Sequence, residues 1–340
     1  MNKKNRIEWI DIVKGITLLT VIVCHTYRNG FFPGLIRGAF CSYNMPLFFI
    51  VSSITFKHSE NTSDLIRNIR KSAKHLLIPA FLVCAINLGY EAYVSYPDFH
   101  SVFNVQRIFV YIFSNGVEVH WGDMAIKGIG TPWFFVALFT GRTIYDYLHM
   151  SFSKLQLPAI CVIMSILGIC IGQYQPLPFC LDIAFTLLPF FYVGSLLKEH
   201  PLKQNTGSSI VLWFVIWAIS FWLTFPTLKQ WTYLELAVRR YPIYPVCYIA
   251  AIAGTLLWCY IGKTLEKVKI IKSIFSFIGR NSLYILLIHC LDYMPILQNI
   301  WFIEGRQTLS TLIRISLNLA IFFILYIIHK AASATLRNKS

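Results

Sequence analysis

The sequence predicts an all-α polytopic membrane protein of about ten transmembrane helices, N-in/C-in. Three observations predict it. The mean hydropathy over the 340 residues is +0.59. Only 13% of the residues are charged, against roughly 25% in soluble domains. Apolar runs of about 17–22 residues, long enough to cross a hydrocarbon core, recur to the end of the chain. A β-barrel would show short alternating segments. Residues 1–340 read as a single integral-membrane domain.

The first span, 8–28, carries charge. Trp9 to His25 is apolar enough to enter a bilayer, yet it holds Asp11, Lys14 and His25. A charged group costs roughly 2.5–3.5 kcal/mol at a helix centre on insertion scales. Lys14 and His25 stand about 20° apart around the helix and about 16 Å apart along it. Asp11 lies one turn before Lys14, on nearly the same face. The stripe reads as the lining of a polar path. Lys3, Lys4 and Arg6 before an apolar run resemble a signal peptide, but Asp11 and Lys14 interrupt the run and no small-residue cleavage site follows. A retained first helix is expected.

The second span, 39–56, is broken by Pro46 in Tyr43-Asn-Met-Pro-Leu-Phe-Phe-Ile-Val-Ser-Ser53. The loop after it, 57–76, holds Arg67, Arg70, Lys71, Lys74 and His75. Spacings of three and four gather its cations on one helical face, which binds anionic lipid or clamps phosphates. A third span runs over 77–96. In 97–131 the apolar run Phe109–Phe113 is too short to cross, and Glu118, His120, Asp123 and Lys127 follow it. This segment reads as an extracytoplasmic excursion with a re-entrant or interfacial helix. Thr131-Pro-Trp133 opens the span 132–149, and spans at 157–173, 179–198 and 208–225 follow. The loop 226–242 holds Trp231, Tyr233, Glu235, Arg239, Arg240 and Tyr241, a mixture that suits sugar binding or an interfacial belt. The last spans are 243–262, 273–291 and 308–330. The ninth carries Arg280 near one end and His289 near the other. With the N-terminus inside, about 19 of the 30 Lys and Arg fall on the cytoplasmic side and about 8 on the other.

The net charge of +15 does not indicate nucleic acid, because it sits in loops between apolar runs. The nine cysteines form no CxxC pair. Cys84, Cys161, Cys170 and Cys259 lie in apolar runs and read as small buried hydrophobes. No P-loop, dinucleotide fingerprint, HExxH or acidic magnesium motif is present, so no metal site is expected. There is no internal repeat.

His25 leads the catalytic candidates, with Asp11. An imidazole takes and returns a proton near neutral pH. Asp11 is about 21 Å along the helix from His25 and does not reach it. Glu91, Glu118, Asp146, Asp182 and Asp292 are the carboxylates left to orient the ring. A structural histidine bonded to a neighbouring helix is the competing reading. Lys14 either pairs with Asp11, snorkels to the interface, or faces an anionic cofactor.

Taken together, these segments resemble the acyltransferase-3 family of membrane O-acyltransferases, most closely its fucose O-acetylase-like branch. The likeness runs from Arg6-x-x-Trp-Ile-Asp11-x-x-Lys14-Gly and the Lys14-x10-His25 spacing through Met45-Pro-Leu-Phe-Phe, Leu77-Ile-Pro79 and Trp133-Phe-Phe to Asn281-Ser-Leu-Tyr-Ile-x-x-x-His289. It implies an acetyl group moved from cytoplasmic acetyl-CoA to a hydroxyl of a cell-surface or lipid-linked glycan, in a bacterial plasma (inner) membrane. It implies His25 as the essential histidine and Lys14, Arg70, Lys71, Lys74 and His75 as donor contacts. Trp133, Arg280 and His289 fall to substrate binding. The family's arginine-x-x-arginine pair corresponds roughly to Lys71 and His75 here, and its Ser-Gly to Ser52-Ser53. Membrane lipids are the other partners, and oligomeric state stays open between monomer and homo-oligomer. The alternative is a proton-coupled transporter or flippase, in which Asp11, Lys14 and His25 form a relay. The sequence shows neither inverted repeats nor paired broken helices, which counts against it.

Overall fold

A computed structural model describes residues 6–26, 31–98, 102–202, 206–224 and 233–337. Sixteen helices carry the described chain. They are α1 (Glu8–Thr26), α2 (Phe31–Cys41), α3 (Asn44–Ile54), α4 (Thr62–Ser72), α5 (Ile78–Val94), α6 (Val105–Phe113), α7 (Trp133–Ser151) and α8 (Leu157–Tyr174), then α9 (Leu181–Thr186), α10 (Leu188–Glu199), α11 (Thr206–Thr224), α12 (Val246–Leu265), α13 (Lys269–Arg280), α14 (Ser282–Leu291), α15 (Pro295–Trp301) and α16 (Gln307–Arg337). Each of the ten expected spans falls on helix. Among the described residues seven helices are long and apolar enough to cross a membrane, or nine if each of two bent pairs counts as one span. α7, with Arg142, Asp146 and His149 along it, is not among them.

The bent pairs are α9–α10, at 57°, and α13–α14, at 63°. These are paired broken helices that the sequence did not announce. Pro189 explains the first, since it has no N–H to continue the ladder across Leu187. At the second, the Asn281 amide turns back to donate to the Phe277 carbonyl at 2.8 Å and competes with the helix. Pro46 is harmless in the first turn of α3, where its missing N–H has no intrahelical partner to lose. Before Pro79 the chain widens into a π-helical turn over Ala73–Leu77, so α4 and α5 run on as one long helix.

Two compact units emerge. The terminal unit comprises residues 1–40 and 265–340, and the central unit residues 41–264. In the terminal unit α1 packs on α13 at backbone contact. A Cβ on Gly279 would fall 1.7 Å from the Asp11 carbonyl oxygen, and one on Gly15 would fall 2.4 Å from that of Phe275. Small residues are what let membrane helices approach this closely. In the central unit α3 packs on α10, where Gly194 meets the Ile50 carbonyl. Phe49, Phe135, Phe190 and Phe191 fill the core around them. Within 97–131, residues 102–131 fold on their own scale. α6 has nine residues, and a hairpin pairs Val119–Trp121 with Met124–Ile126. Val110, Phe113 and Ile126 form its small core. At about 13 Å, α6 is too short to cross a bilayer. All nine cysteines are free, and Cys170, expected to be buried, lies on an exposed face of α8. That face remains apolar, so the residue type still suits it.

Candidate functional site

His25 closes the last turn of α1, and what surrounds it comes from the other end of the chain. Its ring lies 5.3 Å, centroid to centroid, from His289 on α14 and 5.7 Å from Tyr293. His289 is fully buried, and its Nδ1 is 3.0 Å from Oδ2 of Asp292. Arg314 grips the same carboxylate from α16, with Nε donating to Oδ2 at 2.9 Å and Nη2 to Oδ1 at 2.6 Å. Asn318 adds a bond to Oδ2 at 2.7 Å. Arg314 and Asn318 are four residues apart and so share one face of α16.

A buried charge pair is tolerated only when its geometry is good and its remaining hydrogen-bonding groups are satisfied. Here both conditions hold. The Arg314 guanidinium lies over Tyr293 and Trp301, at 4.4 and 4.1 Å from their ring centroids. Its Nη1 reaches the Thr26 hydroxyl at 3.4 Å, and the Trp301 indole donates to the Asp292 carbonyl at 2.9 Å. With Asp292 ionised and accepting from Arg314, His289 must donate through Nδ1. That places the lone pair on Nε2. Among the described residues Nε2 has no hydrogen-bond partner. The cluster therefore presents one unused basic nitrogen beside His25.

Of the five carboxylates considered for His25, Asp292 is the one in its unit, and it bonds the neighbouring His289. The others lie in the central unit, and three of them are committed to partners there. Glu91 takes Arg107 at 2.7 Å, and Asp182 takes Arg239 at 2.6 Å. Asp146 accepts from the Ser59 backbone and hydroxyl at 2.8 and 2.6 Å. Glu118 is exposed in a polar depression with Arg107, Asp123 and Lys127.

Asp11 is buried, with both carboxylate oxygens held by Arg6 at 2.6 and 3.2 Å. It anchors the start of α1, about four turns from His25. Lys14 is partly buried on α1 between them. Arg280 is exposed at the α13–α14 bend. Arg70, Lys71, Lys74 and His75 are exposed along the helix that includes the π turn of the central unit. Among the described residues none of these four has an ion-pair partner. Trp133, also in the central unit, is buried at the start of α7, where Gly116 packs against its ring. Trp231 lies outside the described residues.

Sequence reasoning missed Arg314, Asn318 and Tyr293. The signal was present, since Arg314 is an arginine inside the last apolar run and intramembrane charge demands a partner.

Residues 7–330 match the family model of the acyltransferase-3 family, described as an acyltransferase domain. The chain belongs to the acyltransferase-3 family. It is an integral membrane acyltransferase, and the motifs from Trp9 to His289 fall within the matched region. No curated protein matches the chain, and no solved structure does.

Proposed function

We propose that this acyltransferase moves an acetyl group from acetyl-CoA to a hydroxyl of a cell-surface or lipid-linked glycan at a bacterial plasma membrane. The observation that carries the reading is the unused Nε2 of His289 beside His25, fixed by a saturated Asp292–Arg314 pair. His25 removes the proton of the acceptor hydroxyl, and the oxygen attacks the thioester carbonyl. The tetrahedral intermediate collapses with cleavage of the carbon–sulfur bond, and the CoA thiolate takes back the proton. A small rotation lets a His25 N–H donate to His289 Nε2, which aims the other ring nitrogen and steadies the imidazolium. Asp292 then plays the orienting part that carboxylates play in catalytic triads, one residue removed.

Arg70, Lys71 and Lys74 suit the phosphates of CoA, being exposed cations without acidic partners among the described residues, and the exposed imidazole of His75 stands beside them. Lys14 is the proposed cation nearer the thioester. The branch to which the motifs run closest makes a sugar hydroxyl the first acceptor to test. The two bent spans favour a transporter as the second reading, because discontinuous helices line many transport sites. Family membership weighs more.

The test is transfer of label from radiolabelled acetyl-CoA to host glycan extract by purified protein, wild type against His25→Ala. Label reaching glycan with wild type alone is expected. Equal labelling by His25→Ala removes the base. No thioester cleavage by folded wild type with several extracts turns the reading to transport.

A further inference from the structure

A second buried polar hub lies within the central unit, and nothing in the proposed chemistry uses it. Three segments build it. Asn115 follows α6, Asp182 stands in the first turn of α9, and Arg239 lies in the stretch before α12. Arg239 donates from Nε to Asp182 Oδ2 at 2.6 Å and from Nη2 to Asp182 Oδ1 at 3.3 Å. The same Nη2 is 2.6 Å from Asn115 Oδ1. Asp182 also accepts from the Leu177 amide at 3.0 Å. The side chains of Arg239 and Asp182 are 8% and 1% exposed, and Asn115 is fully buried.

Two donors in this hub are unspent. Arg239 Nη1 and Asn115 Nδ2 are buried and have no partner among the described residues. They belong to groups already bonded to each other, so covalent geometry keeps them within one small ligand's reach. A buried donor without an acceptor is costly and marks the place where a water or a ligand oxygen belongs. Gly172 makes room for the ion pair itself, since a Cβ there would lie 2.7 Å from Asp182 Oδ2. The backbone is also forced. Ser114, Phe179, Cys180, Arg239 and Ile243, the five non-glycine residues with positive φ among those described, all sit on the three segments. Left-handed backbone is unfavourable for such residues and gathers where function holds it.

The charge identifies the ligand. Asp182 neutralises Arg239, and Glu235 faces Arg240 at 3.6 Å nearby in the chain, so the hub has no net charge to offer an anion. What remains is a pair of N–H donors for lone pairs. Charge bias in the sequence assigns all three segments to the extracytoplasmic side, from which the acceptor of the proposed reaction arrives.

We propose that Arg239 Nη1 and Asn115 Nδ2 form a subsite for an uncharged oxygen, a hydroxyl or ring oxygen, of a sugar acceptor. The word acceptor rests on the acetyltransferase reading; the binding of a neutral sugar does not. The test is saturation-transfer NMR on the full chain in nanodiscs. The neutral probes are the methyl glycosides of glucose, mannose and fucose, and the anionic probes are glucuronate and glucose 6-phosphate. Neutral probes bind wild type and are not displaced by the anionic ones. Arg239→Lys keeps a cation opposite Asp182 but loses the spare nitrogen. Asn115→Asp is isosteric and keeps the oxygen that faces Arg239 but loses the amide donor. Either change weakens binding about tenfold or more with the melting transition retained, and the second decides if the first melts early. Unchanged binding in the folded variants, preference for the anionic probes, or no neutral binding by wild type overturns the subsite. His25→Ala keeps sugar binding. Sugar binding without label transfer by wild type would remove the acetyltransferase reading and leave the subsite standing.

Discussion

Asp292–Arg314 in the terminal unit and Asp182–Arg239 in the central unit are both side-on ion pairs away from water, yet their surroundings differ. Asp292 follows a helix directly, and its partners Arg314 and Asn318 come from one face of a single long helix. Oδ2 alone takes three donors, and aromatic rings cover the guanidinium. The one nitrogen left over belongs to His289. Asp182 and Arg239 stand beside irregular, left-handed backbone, and their hub keeps two N–H donors in reserve. A closed cluster with a spare basic nitrogen suits the proposed orienting of a base. An open one with spare donors holds a ligand. The same residue pair thus takes on two tasks through what surrounds it.

This comparison breaks most visibly at Asp292. Asp292→Asn leaves Arg314 charged and unpaired, and thermal unfolding in detergent should show a loss of about 3–5 kcal/mol. Asp292→Leu combined with Arg314→Met should recover most of that stability, since apolar replacements of a buried pair are often neutral or better, while transfer activity stays lost. Recovery of activity in the double variant would make the pair structural only. Asp182→Asn should cost less, about 1–3 kcal/mol, because Arg239 keeps Asn115; a loss equal to that at Asp292 would erase the contrast.

His289→Gln tests orientation. It should lower kcat for transfer about tenfold or more and move the acid limb of the pH–rate profile, with the melting transition nearly unchanged. An unaltered profile with lost stability would assign His289 to packing. The smallest effect is expected away from both pairs. Lys71→Ala with Lys74→Ala should raise the apparent KM for acetyl-CoA about threefold to tenfold, because exposed charge contacts are worth about 1 kcal/mol or less each. A KM equal to that of wild type would return this face to lipid binding.

Much of the fold was legible because bilayer crossing leaves a strong local signature. Apolar run length marks ten regions that fall on helix, of which seven to nine are candidate spans among the described residues, and the spacing of the cations from Arg67 to Lys74 reads as helical, as the structure has it. The bend at Asn281 was less legible, because an asparagine amide competes with the helix only in particular rotamers. Of the site, His25 and Lys14 were named from a one-helix stripe. His289 and Asp292 were named separately, without the bond between them.

By itself the sequence determined that the chain enters a membrane, where its helices lie, which family it joins, and that His25 carries an unusual burden within an apolar helix. Those properties are local, written in run length, charge and short motifs. Only the tertiary structure decided that His25 lies beside a His289 bonded to Asp292, that Arg314 and Asn318 hold the same carboxylate, and that Asn115, Asp182 and Arg239 meet. Asn115 and Arg239 are 124 residues apart in the chain. No periodicity spans such a distance, and a buried polar group finds its partner only after helices pack and water leaves.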